Sequence, residues 1–150
     1  MSDLDKKHGC KKVMVVMRKA FRTIDAKVSE TFKEFNLTPT QFGVMDVLNA
    51  KGRMKIGELI DRMLATSGNM TVVIKNMEKK GWLTREACQT DKRAFEVDLT
   101  DEGRRIIQAA IPPHQRAIEE TFSVLTPEEQ AQLVELLKKF RMSEHISLYF

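Results

Sequence analysis

Two short amphipathic helical patterns followed at once by a hairpin pattern, between Lys55 and Thr100, constrain the fold of this chain most strongly. In both helical patterns apolar residues recur at i, i+3, i+4 and i+7, so each predicts a helix with one buried face. The first set is Ile56, Leu59, Ile60 and Met63, and the second is Met70, Val73, Ile74 and Met77. Only residues 64–67 separate the helical segments, so a tight turn must join them.

The ends of the second helix carry matching signals. Thr66 or Ser67 can accept hydrogen bonds from the first free N–H groups of this helix. The helix should end at Lys79-Lys80-Gly81, because cations suit the negative end of the helix dipole and glycine can adopt the left-handed cap conformation.

The next segments predict a β-hairpin. Residues 83–87 and 94–99 are strand-like, and the second segment alternates apolar with acidic residues, as a half-buried strand requires. Its apolar residues are Phe95, Val97 and Leu99. The polar tip, Cys88 to Arg93, ends in the adjacent cations Lys92 and Arg93. Two short helices and a charged hairpin make a winged helix-turn-helix, which can place a helix in a DNA major groove and the tip on the neighbouring backbone or minor groove.

At these positions the sequence resembles the MarR family of bacterial transcriptional regulators. The wing signature Asp91-x-Arg93-x-x-x-Val97-x-Leu99-Thr100 is the most specific part of the resemblance, which covers nearly the whole chain. Upstream, in the same order as in the family, stand Leu37-Thr38-x-x-Gln41-Phe42, Gly57-Glu58-Leu59, Met70-Thr71 and Met77-Glu78-x-x-Gly81. The resemblance implies a symmetric dimer of winged-helix subunits, joined by their terminal helices, that a small-molecule or redox cue releases from DNA.

The candidate DNA contacts lie on the uncommitted side of the second helix and at the wing tip. They are Thr66, Ser67, Asn69, Thr71, Lys75, Lys92 and Arg93. Amides pair with adenine edges, hydroxyls reach phosphates or bases, and lysine favours phosphate or guanine, so residue chemistry leaves open which of them reads bases. The alternative for the helix is an ordinary solvated face.

Asp91 and Arg93 have two readings. On their own they are a turn aspartate followed by an exposed arginine. The family resemblance implies instead that Asp91 orients the tip and that Arg93 enters a minor groove, where a narrow A·T-rich stretch concentrates negative potential.

Outside this region the apolar pattern is helical. A stripe spaced by three or four residues predicts a long first helix over about Leu4 to Phe35. Its members are Val13, Met17, Phe21, Ile24, Val28, Phe32 and Phe35. Thr38-Pro39-Thr40-Gln41 combines a capping threonine, a proline at the first helical position and a glutamine placed for a capping box, so a second helix starts there.

The C-terminal third predicts two more helices. Thr100 can cap a helix that Pro112 and Pro113 must kink or interrupt, because two backbone donors are missing. Thr126 begins a second capping box, before a helix whose apolar face is Leu133, Leu136, Leu137 and Phe140. We expect the apolar tail, residues 146–150, to pack on the first helix of a second subunit.

Length and charge fit this architecture. A chain of 150 residues, 42% of them hydrophobic, is long enough for one well-packed domain. We therefore predict a mainly α fold with a small β-wing, in which residues 38–100 form the DNA-binding core and residues 1–37 and 101–150 the dimerisation helices. The net charge of +4 is a modest footprint that supports nucleic-acid binding only together with the helix and the wing.

Other chemistry has weaker support. Cys10 and Cys88 are free thiols by default and candidate redox sites; Cys10 has lysines on both sides, and Cys88 lies near Arg85 and Lys92. The three histidines are far apart, with no HExxH and no paired CxxC, so no metal site, cofactor or enzyme activity is predicted. With no apolar run of spanning length and no leader, the chain is expected in the cytoplasm.

The sequence thus predicts a homodimeric, DNA-binding transcriptional repressor that binds a pseudo-palindromic operator and responds to a thiol-reactive cue or a small aromatic or electrophilic effector. Two alternatives remain at this point. One is a winged-helix module that binds protein through the same surface, and the other is a constitutive DNA binder without an effector.

Overall fold

The computed structural model describes residues 3–63 and 67–142, which contain six α-helices and a three-stranded antiparallel sheet. The helices are α1 (Asp3–Ser29), α2 (Pro39–Lys51), α3 (Ile56–Met63), α4 (Ser67–Lys79), α5 (Asp101–Phe122) and α6 (Pro127–Lys138). The strands are β1 (Met54–Lys55), β2 (Leu83–Ala87) and β3 (Phe95–Leu99). Two 3-10 helices, Glu30–Phe35 and Lys139–Met142, follow α1 and α6. The predicted helical fold with a β-wing is confirmed.

Reciprocal side-chain caps fix where α2 and α6 begin. At α2 the Thr38 hydroxyl accepts the Gln41 N–H at 3.1 Å, and the Gln41 side chain accepts the Thr38 N–H at 3.0 Å. Thr126 and Glu129 form the same pair at α6, at 3.2 and 2.9 Å. Both boxes are those that the sequence predicts, and a capping side chain of this kind stabilises a helix by about 1 kcal/mol.

The first helix departs from its prediction at its C-terminal end. The α-helix ends at Ser29, and Glu30–Phe35 continue as a 3-10 helix. Asn36 then adopts a left-handed conformation with φ 53°, and the Leu37 N–H donates to the Phe32 carbonyl at 3.1 Å. Tighter winding of this kind is a common way to end a helix before a sharp turn. Here it brings the chain to the α2 cap within a few residues.

The two prolines of α5 do not break it. The helix runs continuously through Pro112 and Pro113, so the interruption offered as one outcome from the sequence is wrong. Each proline deprives the carbonyl four residues earlier of its helical donor. Those carbonyls belong to Gln108 and Ala109, which are exposed, so water can take the place of the missing N–H groups.

β3 is the central strand of the sheet. It pairs with β2, with Leu83 opposite Leu99 and Arg85 opposite Val97, and β1 adds on its other side with Met54 opposite Val97. The two hairpin strands are predicted from the sequence, apart from one residue at the start of β3. The sequence gives no sign of β1, because two residues are too short to show an alternating pattern.

Phe95 departs from the predicted half-buried alternation. Val97 and Leu99 are buried, but 43% of Phe95 is exposed. Phe95 lies nearer the hairpin tip, past the part of β3 that the core covers. Instead, the guanidinium carbon of Arg85 lies 4.8 Å from the centroid of its ring.

Aromatic ring contacts and a hydrogen bond connect α1 and α5 with α2. The His114 ring of α5 lies 4.8 Å from Phe32 and 4.6 Å from Phe42, centroid to centroid, and its Nδ1 lies 3.1 Å from the Val28 carbonyl of α1. Burial raises the pKa of the nearby Asp46 carboxyl, and the positive charge of His114 opposes that shift. Ring packing and a hydrogen bond to backbone thus join α1, α2 and α5.

Gly103 allows α5 to start directly against the end of the sheet. A methyl group at this position would overlap the Trp82 carbonyl oxygen and approach the Leu99 side chain to 3.2 Å. The same Trp82 carbonyl accepts the Thr100 N–H at 3.0 Å. The Thr100 hydroxyl accepts the Gly103 N–H at 3.0 Å and donates to the Gly81 carbonyl at 2.6 Å. The helix start is therefore fixed to the chain segment that leaves α4.

We predict that Gly103→Ala destabilises the protein by about 1–3 kcal/mol, because the added methyl has to displace backbone. Gly57→Ala is the matched control: a methyl there meets nothing within 4 Å, and alanine in place of glycine favours a helix by up to about 1 kcal/mol. Urea unfolding of both variants measures the difference. An unchanged midpoint for Gly103→Ala would contradict the close contact with Trp82.

Candidate nucleic-acid interface

The buried stripe of α4 sets the orientation of this helix. Met70, Ile74 and Met77 are each no more than 1% exposed and belong to the same core cluster as Leu59 of α3 and Val97 of β3. Because an α-helix repeats every 3.6 residues, burial of this stripe turns the intervening residues outward. The second helix of the helix-turn-helix therefore presents one whole face away from the core.

That outward face carries mixed polar and apolar side chains. The exposed residues along it are Asn69, Thr71, Val72, Lys75 and Asn76. Asn69, Thr71 and Lys75 are predicted from the sequence as DNA contacts, whereas Val72 and Asn76 are not. Both could have been found by spacing, since Asn69, Val72 and Asn76 stand at i, i+3 and i+7 and share one helix face.

The turn between α3 and α4 holds two further predicted contact residues. Thr66 lies outside the described residues, and Ser67 is the first residue of α4, with nothing of its side chain described. Their predicted roles in capping and in DNA contact stay predictions.

The end of α4 follows the sequence prediction. Gly81 has φ 76°, in the left-handed region, and its N–H donates to the Glu78 carbonyl at 3.0 Å. The Trp82 N–H donates to the Met77 carbonyl at 3.0 Å. This hydrogen-bonded cap satisfies the last carbonyls of the helix and turns the chain directly into β2.

The wing tip is a tight turn closed by its own backbone. The Ala94 N–H donates to the Asp91 carbonyl at 3.0 Å, and the Cys88 N–H donates to the Ala94 carbonyl at 2.9 Å. The Asp91 carboxylate accepts the Arg93 N–H at 3.1 Å, as an aspartate commonly does two residues ahead in a turn. Lys92 and Arg93 are exposed. This geometry suits the predicted role of Asp91, which is to order the backbone that carries Arg93.

Arg53 links the outer face of the hairpin to β1 through two ion pairs. The Arg53 side chain lies 3.2 Å from the Glu86 carboxylate of β2 and 3.8 Å from the Asp98 carboxylate of β3. Arg53 immediately precedes β1, so these two ion pairs link that strand's edge to both strands of the wing. The base of the hairpin is thus held by side chains as well as by strand pairing.

The two cysteines occupy different environments. Cys88 is buried, with its Sγ 3.2 Å from the Thr90 hydroxyl and 3.5 Å from the Glu96 carboxylate. Its hydrogen-bonding neighbours are therefore a hydroxyl and an acid, and not the cations Arg85 and Lys92 that the sequence placed beside it. Cys10 is exposed.

Most of the exposed apolar surface lies on α1 and α6. Among the residues that the structure describes, every large exposed apolar side chain except Val72, Phe95 and Val124 belongs to α1, α6 or the 3-10 helix after α6. Those on α1 are Val13, Met14, Val15, Val16, Met17 and Phe21, and those at the C-terminal end are Leu133, Val134, Leu136, Leu137 and Phe140. Soluble monomers rarely expose so much apolar surface, so it marks an interaction site.

A groove of about 510 Å³ opens on this surface, between the N-terminal half of α1 and the 3-10 helix that follows α6. Its walls are almost wholly apolar. The lining residues are Cys10, Val13, Met14, Met17 and Phe140. Cys10 thus lies on this exposed apolar surface and is far along the chain from the wing. The tail at residues 146–150, which the sequence predicts to cover a first helix, lies outside the described residues.

Residues 3–63 and 67–142 contain neither a cluster of metal ligands nor a helix suited to span a membrane. That part of the chain holds no group of three or more histidine, cysteine, aspartate or glutamate side chains able to hold a metal ion. None of its helices is both long enough and apolar enough to cross a membrane.

Known proteins resemble this chain in sequence and in fold. The model of the MarR family matches residues 37–95. The uncharacterized HTH-type transcriptional regulator YkoM of Bacillus subtilis is 37% identical to this chain, over 87% of this chain and 86% of YkoM. The two sequences therefore correspond well beyond the helix-turn-helix, into the terminal helices.

Two solved structures extend the comparison to complexes and regulation. A cysteine-to-serine mutant of MarR from E. coli, complexed with operator DNA, is 26% identical, with a TM-score of 0.82 and coverage of 93% of this chain and 99% of that chain. BpsR of Bordetella bronchiseptica, whose DNA binding is regulated by 6-hydroxynicotinic acid, is 25% identical, with a TM-score of 0.78 and coverage of 86% and 98%.

Proposed function

Because the chain belongs to the MarR family of DNA-binding transcriptional regulators, we propose that it is a homodimeric repressor that binds a pseudo-palindromic operator until a chemical cue releases it. The protein is a regulator and not an enzyme. In this proposal residues 38–100 bind DNA, while residues 1–37 and 101–150 hold the dimer together. The observation that carries it is the outward face of α4 beside a wing tip whose arginine stands on an ordered turn.

The α4 face has the chemistry to read a major groove. Asn69 and Asn76 carry amides that can pair with an adenine edge, and the exposed methyl groups of Val72 can contact a thymine methyl. Lys75 can neutralise a phosphate or reach guanine. Base readout and backbone attraction are thus available on one helix face, which is what sequence-specific binding requires.

The wing supplies a second, separate contact. Arg93 is exposed, and its backbone N–H is held by Asp91 at 3.1 Å, so the arginine leaves the tip from an ordered position. An arginine delivered in this way can enter a narrow minor groove, where A·T-rich sequence concentrates negative potential. Lys92 can add a phosphate contact beside it.

The dimer is supported by the apolar surface of α1 and α6. Isologous association would cover this surface in both subunits at once and relate the two α4 helices by a two-fold axis. The similarity to MarR, which was solved with operator DNA, covers 93% of this chain, and the alignment with YkoM extends into the terminal helices, so the helices of the proposed interface belong to the shared fold. The tail at residues 146–150 is proposed to add to the interface.

A releasing cue is supported by two observations. BpsR shows that a relative's DNA binding can respond to a small aromatic acid. In this chain, Cys10 is exposed in the subunit and lines the apolar surface proposed to form the interface, so an electrophile that modified it would disturb the dimer, whereas Cys88 is buried. Screening small aromatic and thiol-reactive compounds for release of bound operator tests this part of the proposal. If none releases DNA, and reporter expression is insensitive to them, the constitutive binder is the better description.

We predict different losses from the wing and from α4. Arg93→Ala should cost about 1–3 kcal/mol of binding free energy and chiefly weaken sites with A·T-rich flanks, since a minor-groove contact is lost. Lys75→Ala should weaken all sites alike and reduce the salt dependence if it meets phosphate, whereas Asn69→Ala should change base preference within the half-site. Titrating each variant against matched operators at two salt concentrations measures all three.

Thermal unfolding is the control for these variants, because surface substitutions normally change stability by only about 0.5 kcal/mol. Equal affinity of Arg93→Ala and the wild type for every operator would contradict the minor-groove contact. Loss of binding that follows loss of folding would not support it.

We predict that Met17→Glu and Leu136→Glu each shift the protein from dimer to monomer, because they place a charge in the proposed apolar interface. Val72→Glu is the matched control: Val72 is 57% exposed and apolar, but it lies on α4, so this variant should stay dimeric and lose DNA affinity instead. Sedimentation velocity at micromolar concentration measures the first effect. A wild-type protein that is monomeric under these conditions would contradict the proposed dimer.

A further inference from the structure

We propose that Arg85 is a positioning residue that fixes the angle between the wing and α4, and so sets where Arg93 meets DNA. The inference rests on the proposed function, because it assigns Arg85 a role in presenting the two DNA-contacting elements to one duplex. Arg85 itself is not proposed to contact DNA. It lies in the middle of β2, between the recognition helix and the hairpin tip.

The Arg85 side chain contacts both elements at once. Its Nε lies 3.4 Å from the Glu78 carboxylate in the last turns of α4. Its guanidinium carbon lies 4.8 Å from the centroid of the Phe95 ring, at the start of β3. With 30% of its side chain exposed, against 37% for Glu78, the ion pair is partly shielded from water. One planar group therefore joins the helix to the hairpin.

Strand register explains why these groups meet. Arg85 is directly opposite Val97, and Phe95 stands two residues before Val97 in β3, nearer the hairpin tip, so all three side chains lie on the same face of the hairpin. Val97 is fully buried in the core, while Phe95 and its partner Ala87 are exposed. Arg85 thus sits where the core stops covering the hairpin, and its contacts continue the support outward.

Arginine is the residue type that suits both contacts. Its flat guanidinium can stack on an aromatic ring while its edge pairs with a carboxylate, and lysine has no planar group to do both. A lone exposed ion pair contributes little to stability, about 0–1 kcal/mol. The expected effect of this contact is therefore on the position of the wing rather than on the fold.

A small change of angle at this point has a large effect at the tip. Arg93 is four residues beyond Val97, in the turn past the start of β3, so it lies at most roughly 13 Å from Val97. A tilt of about 10° would then move the tip by up to roughly 2 Å, which is larger than the spread of about 0.5 Å in normal N–H···O distances. An arginine displaced by that amount would lose its contacts in a narrow groove.

The test compares three substitutions for affinity to an operator with A·T-rich flanks, each made with Arg93 present and in an Arg93→Ala background. Arg85→Lys keeps the charge but removes the planar stack. Glu78→Gln breaks the ion pair from the helix side with little change of shape. Arg105→Lys is the control, because Arg105 pairs with Glu102 at 3.8 Å within α5.

With Arg93 present, we expect Arg85→Lys and Glu78→Gln to lower affinity by about threefold to tenfold, within the range of coupling between interacting residues. In the Arg93→Ala background both should have little further effect, and Arg105→Lys should have none in either. The sign for Glu78→Gln is informative. Removing a carboxylate near DNA would raise affinity if the only effect were electrostatic attraction to the duplex, whereas loss of positioning lowers it.

Three results would overturn the inference. One is wild-type affinity for Arg85→Lys and Glu78→Gln with Arg93 present. Another is the same loss in both backgrounds, which would mean that Arg85 does not act through the wing tip. A third is full affinity for Arg85→Lys together with a smaller salt dependence for a further variant, Arg85→Ala, which would identify a direct phosphate contact. If Arg93→Ala alone has no effect, the proposed wing contact fails as well, so the two failures are distinguishable.

Discussion

Met70, Ile74 and Met77 anchor α4 in the core together with Leu59 and Val97, and each of the three is almost completely buried. Three such side chains, each contributing about 1.5–3 kcal/mol when fully buried, leave the helix little freedom to rotate about its axis. The buried side chains thereby determine which face of α4 points away from the core. Recognition by this helix depends on that packing, because a rotation of one residue would replace its polar face with methionine and isoleucine.

The hairpin depends on the same core through Val97 and its buried neighbours Leu83 and Leu99. Val97 is fully buried and is paired on both sides, with Met54 of β1 and Arg85 of β2. Outward of Val97 the hairpin leaves the core, and side-chain contacts from Arg85 and Arg53 take over its support. The base of the wing is therefore held in place by the core and by these side-chain contacts, and Asp91 orders the tip locally.

Sequence reasoning succeeded where the signal is local and repeated. Both capping boxes, the glycine cap after α4 and the paired hairpin strands follow from short-range chemistry, and the structure has each of them. It failed where geometry comes from distant contacts. The two-residue strand β1 exists because Val97 offers it an edge, and Phe95 is exposed because the core ends before it, which no alternation pattern can reveal.

The candidate DNA-binding site shows the same difference between local signals and contacts from distant elements. The polar residues of α4 and the wing tip could be selected from spacing and residue type, but Val72 was passed over because an exposed valine looks like core in a sequence. The partners of the Cys88 thiol could not be selected from the sequence either, since its Sγ lies near Thr90 and Glu96, while Arg85 contacts Glu78 and Phe95. Partners that come from other elements have to be seen in three dimensions. The apolar surface on α1 and α6 was predicted from its stripes, and what covers it stays a proposal.

In the proposed complex, two α4 helices related by a two-fold axis read two half-sites on one face of the duplex. The most direct measurement is the affinity of the protein for a bound genomic operator whose half-sites are moved apart by inserted base pairs. We expect tight binding when the half-site centres are about 10 base pairs apart, one helical turn, and loss towards single-half-site affinity when about 5 are inserted. Affinity that does not depend on the spacing would contradict it.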